Sequence, residues 1–407
     1  MESIGKVILL QGPVGPCFDK LHNSFLRQNI DCTRVLFNAG DRLFCRIPQL
    51  AIKFKGNLEN WSTWFETYLL KNSPSVVILF GADRPIHSIA RNLCKKLGVK
   101  VLCLEEGYFR PGYVSIEEGG NNACSPIAGQ LPDFEAANDL ETLDESHLTR
   151  ISENSFRNRC WYGFLYYFWS ELFSSNQQKK LFHKHLNLLD QAIGWMKNFI
   201  LWKFVKKKDE RLFQEISGQE YHLVALQLDA DMQSRFQSNG WKKMDLIHET
   251  IQSFANTRTR NSHLVFKVHP LERGHYNHAK IIQNIAQTFG VEDRVWTIQT
   301  GSIGQWVKHS KGMITINSTS GFSAIFHGVP ILLLGNAIYE HDHFVYKLGK
   351  ETDFDFFWNV SLKASHSERM QYLNWVKKKS CVEGDFYSQL DEINIKECIV
   401  SYFNKQY

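Results

Sequence analysis

No apolar run in this 407-residue chain approaches the roughly 18 residues that cross a bilayer, so no spanning helix is expected. The nine cysteines are odd in number and include no CxxC pair. That spacing argues against a zinc knuckle or a disulfide framework, and for a reducing compartment in which each cysteine is a small buried hydrophobe. The opening MESIGKVILLQGPVGP lacks a basic stretch followed by a long apolar one. A cytoplasmic location, soluble or peripherally attached to a membrane, is therefore expected. There is no GxGxxG, no strong internal repeat and no low-complexity segment. Charge of one sign is also scarce, since 47 Lys and Arg against 42 Asp and Glu leave +5. That is too little for a nucleic-acid footprint but enough to assist an anionic donor or membrane surface.

What is present is ordinary globular material, 43% hydrophobic and 22% charged, in a length that suggests two domains. Strand, polar turn and helix alternate through residues 1–130. Strands at 6–10, 33–37, 76–80 and 100–104 open into Gln11-Gly12-Pro13, Asn38-Ala39-Gly40-Asp41, Gly81-Ala82-Asp83-Arg84-Pro85 and Glu105-Glu106-Gly107. Buried-type strands that each discharge polar residues at the carboxyl end predict a Rossmann-like domain with its site along that edge. A second series, within 216–384, places strands at 222–228, 263–268, 294–298, 313–316 and 329–334. Residues 385–407 read as a helix returning toward the first domain. The expected fold is therefore α/β of GT-B type, two Rossmann-like domains facing across a cleft.

The densest motif is 312–335, GMITINSTSGFSAIFHGVPILLLG, a complete βαβ unit. Its turn, Asn317-Ser318-Thr319-Ser320-Gly321, lays backbone N–H groups and hydroxyls at a helix N-terminus, where the dipole favours a phosphate or carboxylate. The plainer alternative is a helix cap, with Ser318 or Ser320 satisfying the first turn. The strand at 263–268 stops at His269-Pro270, which puts Lys267 and His269 at the edge where open α/β sheets bind ligands. A lysine and a histidine converging on a Ser/Thr turn favour a nucleotide phosphate.

Residues 131–215 break the alternation. WYGFLYYFWSELF at 161–173 is too short to cross a membrane and too aromatic for an ordinary surface helix, and lysines follow it. Two readings stand: a helical insertion packed on the core, or an interfacial surface for anionic lipid. Lys197, Lys203 and Lys206 to Lys208 do not collect on one helical face.

Six stretches, LLQGPVGPCF, FNAGDRLF, LEEGYFRPGYVS, LQLDADMQ, FKVHP and INSTSGFSAIFHGVPILLLGNAIY, occur in this order along most of the chain. Together they resemble the capsule-polysaccharide biosynthesis family of KpsS type, the β-Kdo transferases of Gram-negative bacteria. The resemblance implies a GT-B fold and transfer of β-linked Kdo from CMP-Kdo. It implies a lipid acceptor related to lyso-phosphatidylglycerol, on which the poly-Kdo linker of capsular polysaccharide is started at the inner face of the cytoplasmic membrane. Other capsule biosynthesis or export components are then expected partners, and nucleic acid is not.

Donor and product are both β-linked, so the reaction retains configuration, and a double displacement needs a carboxylate nucleophile and a second group to move the acceptor proton. Asp231 is the expected nucleophile, with Asp229 in reserve, although both acids could instead cap a helix or pair with Arg235. One of Glu105 and Glu106 is the expected acid/base, with Arg110 nearby favouring an ionised glutamate. Lys267, His269, Asn317, Ser318, Thr319, Ser320 and Gly321 are expected to hold the CMP phosphate, and Gln227 and Gln233 the donor's other polar groups. Gln11, Gly12, Asn38 and Asp41 are expected on the acceptor side, with Arg110. With CMP as leaving group no divalent metal or other cofactor is required. Two further readings remain: a non-catalytic export or scaffold protein, and a CMP-sialic acid or CDP-linked polymer transferase.

Overall fold

The computed structural model describes residues 5–109, 112–135, 153–179, 181, 202, 204–227, 237–257, 262–269, 277–349, 353–388, 397 and 399. The chain divides into two compact units, Met1–Ile127 with Thr142–Leu188 and Val376–Tyr407, and Ala128–Glu141 with Leu189–Trp375. The stretch 131–215, read from the sequence as one insertion, is thus shared between them, and the return to the first unit begins at Val376 rather than near residue 385.

The first unit is built on strands β1 (Val7–Leu9), β2 (Cys32–Leu36), β3 (Ala51–Lys53), β4 (Val76–Phe80), β5 (Lys100–Glu106) and β6 (Tyr113–Glu118), joined by a last strand, Cys381–Glu383. From one edge the order is last strand, β6, β5, β4, β1, β2, β3. The strands β3 to β5 run parallel, while β6 and the last strand are antiparallel to their neighbours. Helices α1 (Cys17–Arg27), α2 (Ala39–Leu43), α3 (Leu58–Asn72) and α4 (Pro85–Leu97) lie between the strands in the chain. Both faces of the sheet are covered. Val7, Leu9 and Ile78 pack with Phe18, Phe25 and Phe386 on one side, and Ile8, Leu10, Val77 and Leu79 with Phe37, Trp61 and Phe65 on the other. That is why these strands are unbroken apolar runs rather than alternating ones. Helix α4 carries its punctuation in sequence, with Pro85 in its first turn and Gly98 closing it in a left-handed conformation at φ 69°.

The second unit holds β7 (Tyr221–Ala225), β8 (His263–Lys267), β9 (Val295–Ile298), β10 (Gly312–Thr315), β11 (Ile331–Leu333) and β12 (Val345–Lys347) in the order β12, β11, β10, β7, β8, β9, parallel throughout. Val224, Leu264, Phe266, Ile314 and Leu332 form its core with Ile247, Ile251, Phe254 and Phe357. Each unit is doubly wound. In the first, the connections leaving β1 and β4 run to opposite sides, and in the second those leaving β7 and β10 do. The carboxyl ends of β1/β4 and of β7/β10 are therefore topological switch points, the places where open α/β sheets form a ligand crevice.

Candidate active site

At the second unit's switch point the strand register sets the ends of β8, β7 and β10 side by side, with Lys267, Gln227 and Asn317 at or just beyond them. Ala225 pairs with both Thr315 and Lys267. Gln227 and Asn317, each two residues beyond its register position, meet there, with the Asn317 N–H donating to Gln227 Oε1 at 3.3 Å. Lys267 is 5% exposed on the last position of β8, and His269 follows two residues later. Asp229, Asp231 and Gln233, expected beyond β7, lie outside the described residues.

The Ser/Thr turn is more self-contained than its sequence suggests. The Ser318 N–H donates to Thr315 Oγ1 at 3.3 Å, the Ser320 N–H to Ser318 Oγ at 3.2 Å, and the Gly321 N–H to the Ser318 carbonyl at 3.0 Å. Ser318 Oγ and Ser320 Oγ are 2.7 Å apart, and Tyr339 donates its hydroxyl to the Ser318 carbonyl at 2.5 Å. Gly321 then opens the helix Gly321–His327. A Cβ there would stand 2.2 Å from the Tyr339 ring, so only glycine allows this approach. The helix is closed by Gly328, and Arg369 Nη1 donates to the Ile325 and Phe326 carbonyls at 2.7 and 3.0 Å.

The first unit's switch point is occupied by a buried polar network. Arg84 Nη1 donates to Gln11 Oε1 at 2.9 Å and to the Gly12 carbonyl at 3.2 Å, with its guanidinium 5.1 Å from the Phe80 ring centroid. His87 accompanies it, buried and within 2.8 Å of the Gly81 carbonyl. Burial, and then the neighbouring Arg84 charge, push the His87 pKa down to about 3, so the ring is neutral. Arg84 was not singled out from the sequence, although Asp83-Arg84-Pro85 at a strand end was a usable signal.

The other expected acceptor-side groups are gathered by a helix that the sequence left ambiguous, α5 (Glu153–Phe173). Tyr166 donates its hydroxyl to Asp41 Oδ1 at 2.9 Å and accepts from Asn38 Nδ2 at 2.6 Å and Gln11 Nε2 at 3.0 Å. Ser170 Oγ accepts from the Gly40 N–H at 3.0 Å and lies 3.2 Å from Asn38 Oδ1. Gly40 permits the approach, since a Cβ would meet Ser170 Oγ at 2.5 Å and the Tyr166 carbonyl at 2.7 Å. Gln11, Asn38 and Asp41 thus come together against Tyr166 and Ser170 of α5. Gly12 is explained by packing, because a Cβ would enter the Phe18 ring.

Glu105 and Glu106 stand at the end of β5, where Arg159 of α5 pairs with Glu106, Nη1 to Oε1 at 2.5 Å. Arg110 lies outside the described residues. Positions 159, 162, 166 and 170 of α5 face the sheet edge. On the opposite side Trp161, Phe164, Phe168 and Leu172 are exposed, with the first three rings stacked in succession. No helix among the described residues is long and apolar enough to cross a membrane. Nor do the described residues bring three or more His, Cys, Asp or Glu together as a metal site.

Comparison with known proteins places the chain in a family. Capsule polysaccharide export protein KpsS of Escherichia coli is 28% identical over 94% of this chain and 97% of its own. Capsule polysaccharide modification protein LipB of Neisseria meningitidis serogroup B is 26% identical over 96% and 93%. Among solved structures, Thermosulfurimonas dismutans KpsC, a beta Kdo 2,7 transferase, aligns over 99% of this chain and 100% of its own with a TM-score of 0.42 and 12% identity. The family described as capsule polysaccharide biosynthesis protein matches residues 75–387, and this chain belongs to it.

Proposed function

We propose that the protein is a GT-B glycosyltransferase that moves β-linked Kdo from CMP-Kdo, with retention, onto a lyso-phosphatidylglycerol-type acceptor and so starts the poly-Kdo linker of capsular polysaccharide. The observation that carries the reading is the convergence of Gln227, Lys267, His269 and the turn Asn317 to Gly321 on adjacent strand ends at one switch point. A mononucleotide phosphate suits that edge. Lys267 and His269 carry its growing charge as the glycosidic C–O bond breaks, and no metal is needed for CMP to leave. Asp231 attacks the anomeric carbon as CMP departs. The acceptor oxygen then displaces the carboxylate while Glu105 or Glu106 takes the acceptor's proton.

The lipid acceptor calls for work at the inner face of the cytoplasmic membrane, among other capsule components, and the exposed aromatic side of α5 suits the headgroup level. The deciding experiment is mass spectrometry of lyso-phosphatidylglycerol incubated with CMP-Kdo, in the presence of a chelator. A Kdo-sized mass gain is expected with wild type. Asp231→Asn should lose it by several orders of magnitude, as loss of a nucleophile does elsewhere. Brief exposure of wild type should leave a Kdo adduct on the peptide carrying Asp231. Transfer from CMP-sialic acid alone would replace the donor. Lipid binding without transfer from any CMP-sugar would favour the export role that the Escherichia coli relative's name carries.

A further inference from the structure

The first unit's switch point holds a buried positive charge that no paired carboxylate neutralises. Arg84, just beyond β4, is 9% exposed, and a cation so placed is costly unless an anion accompanies it. Its Nη1 is engaged by two neutral oxygens, Gln11 Oε1 and the Gly12 carbonyl, and the Phe80 ring lies against the guanidinium. Among the described residues no carboxylate forms an ion pair with Arg84, and its Nε and Nη2 make no hydrogen bond. Asp41 is reached only through the Gln11 amide, whose Nε2 is 3.5 Å from Asp41 Oδ2. Glu105 Oε2 borders the same turn, 3.5 Å from where a Cβ on Gly81 would stand. Tyr387 also senses the guanidinium, but burial outweighs it and raises the phenol's pKa, so the ring stays neutral.

The backbone around Arg84 favours an anion as well. Gly81 takes φ 81°, and a Cβ there would stand 3.0 Å from Arg84 Nε, so glycine keeps that edge of the guanidinium open. Arg84 is also the residue before α4, a 13-residue helix that begins with Pro85 and has no side-chain cap, which puts the positive end of its dipole at the same place. The Gly81 N–H donates to the Leu104 carbonyl at 2.9 Å and ties this turn to the end of β5. On the transfer reading above, on which this step rests, we infer that Arg84 binds the phosphodiester of the lipid acceptor at the first unit's switch point. Nε and Nη2 form one edge of the fork, the edge that meets two oxygens of a phosphate in parallel bonds. Phosphate held there leaves the acceptor's glycerol hydroxyl next to the carboxyl end of β5, where Glu105 and Glu106 stand. A sugar carboxylate offers the same pair of oxygens, so the two sources of anion are separated by experiment.

The test is calorimetry on the full chain without donor turnover, in wild type, Arg84→Gln and Arg84→Lys. The probes are lyso-phosphatidylglycerol below its micelle concentration, a monoacylglycerol with the same acyl chain but no phosphate, free Kdo and CMP. Wild type should bind the phospholipid at least about tenfold more tightly than the monoacylglycerol, the scale set by hydrogen bonds to a charged group. Arg84→Gln should lose about ten- to a hundredfold for the phospholipid and nothing for the monoacylglycerol, free Kdo or CMP. Arg84→Lys, which keeps the charge without the fork, should fall between the two. Equal wild-type binding of the two lipids overturns the inference, as does wild-type affinity for the phospholipid in Arg84→Gln. A loss confined to free Kdo or CMP overturns it too, because Arg84 then serves the donor. Should Arg84→Gln melt too early to titrate, the lysine variant and the wild-type comparison of the two lipids still decide. A wild-type protein that binds the phospholipid through Arg84 yet transfers no sugar defeats the transfer reading and leaves this anion site standing.

Discussion

Lys267 sits almost fully buried at the last position of a parallel strand, where a charged ammonium is costly unless something nearby is negative or strongly polar. Its placement beside the Gln227 and Asn317 strand ends makes it, with His269, the residue on which phosphate binding should depend most. Lys267→Met keeps the apolar stem and removes the charge, and His269→Ala removes the ring. A hydrogen bond to a charged group contributes about 1.5 to 3 kcal/mol, so each variant should bind CMP about ten- to a hundredfold more weakly by calorimetry. Thermal melts should stay near wild type. Unchanged affinity in both variants would remove these side chains from the donor site.

At the scale of elements, α5 reverses the usual amphipathic arrangement. Its polar and hydroxyl-bearing positions, Arg159, Tyr166 and Ser170, face the protein, and its stacked aromatics Trp161, Phe164 and Phe168 face outward. The inner side should matter for stability and the outer side for lipid. Tyr166→Phe strips a hydroxyl from three buried partners and should cost about 1 to 3 kcal/mol in a chemical melt, because those groups are left unsatisfied. Serine at Trp161, Phe164 and Phe168 together should leave the melt nearly unchanged but abolish co-sedimentation with anionic liposomes. If that triple variant still sediments with vesicles, or wild type never does, the aromatic face has another use.

For the whole molecule the notable feature is how the chain's end completes the first unit. The last strand pairs with β6, and Phe386, Tyr387 and Ile399 join the core around Val7, Phe18 and Ile78. Ser380, just before that strand, donates to Glu117 Oε1 at 2.8 Å, while Tyr108 and Asn121 donate to Oε2 at 2.5 and 3.1 Å and the Ser125 hydroxyl also contacts Oε1. Burial raises the Glu117 pKa, and these donors only partly oppose it. The unfolded chain ionises this group at the ordinary value and the folded one higher. Its favourable contribution is therefore full below the ordinary carboxylate range and is lost as pH rises through the folded pKa. Glu117→Gln removes that titration, so wild-type stability should fall relative to the variant between acid and neutral pH. Parallel pH profiles in chemical melts would show that Glu117 is not the linked group.

The central parallel strands, the polar residues at their carboxyl ends, the Pro85 and Gly98 punctuation of α4 and the βαβ unit from Gly312 to Gly335 were all legible in the sequence. A strand buried on both faces must be a continuous apolar run, and helix caps and turns are local requirements met by neighbouring residues. The short strands β3, β6, β12 and Cys381–Glu383 were not legible, because each needs a partner strand rather than its own pattern to exist. Nor were the contacts that define the first unit's polar centre. Arg84 meets Gln11 across 73 residues, and Tyr166 meets Asn38 and Asp41 across 128 and 125. Only tertiary structure decided which face of α5 turns inward, because a hydroxyl reaching three buried partners stabilises the polar side against the protein, and no periodicity along the helix records where those partners will be.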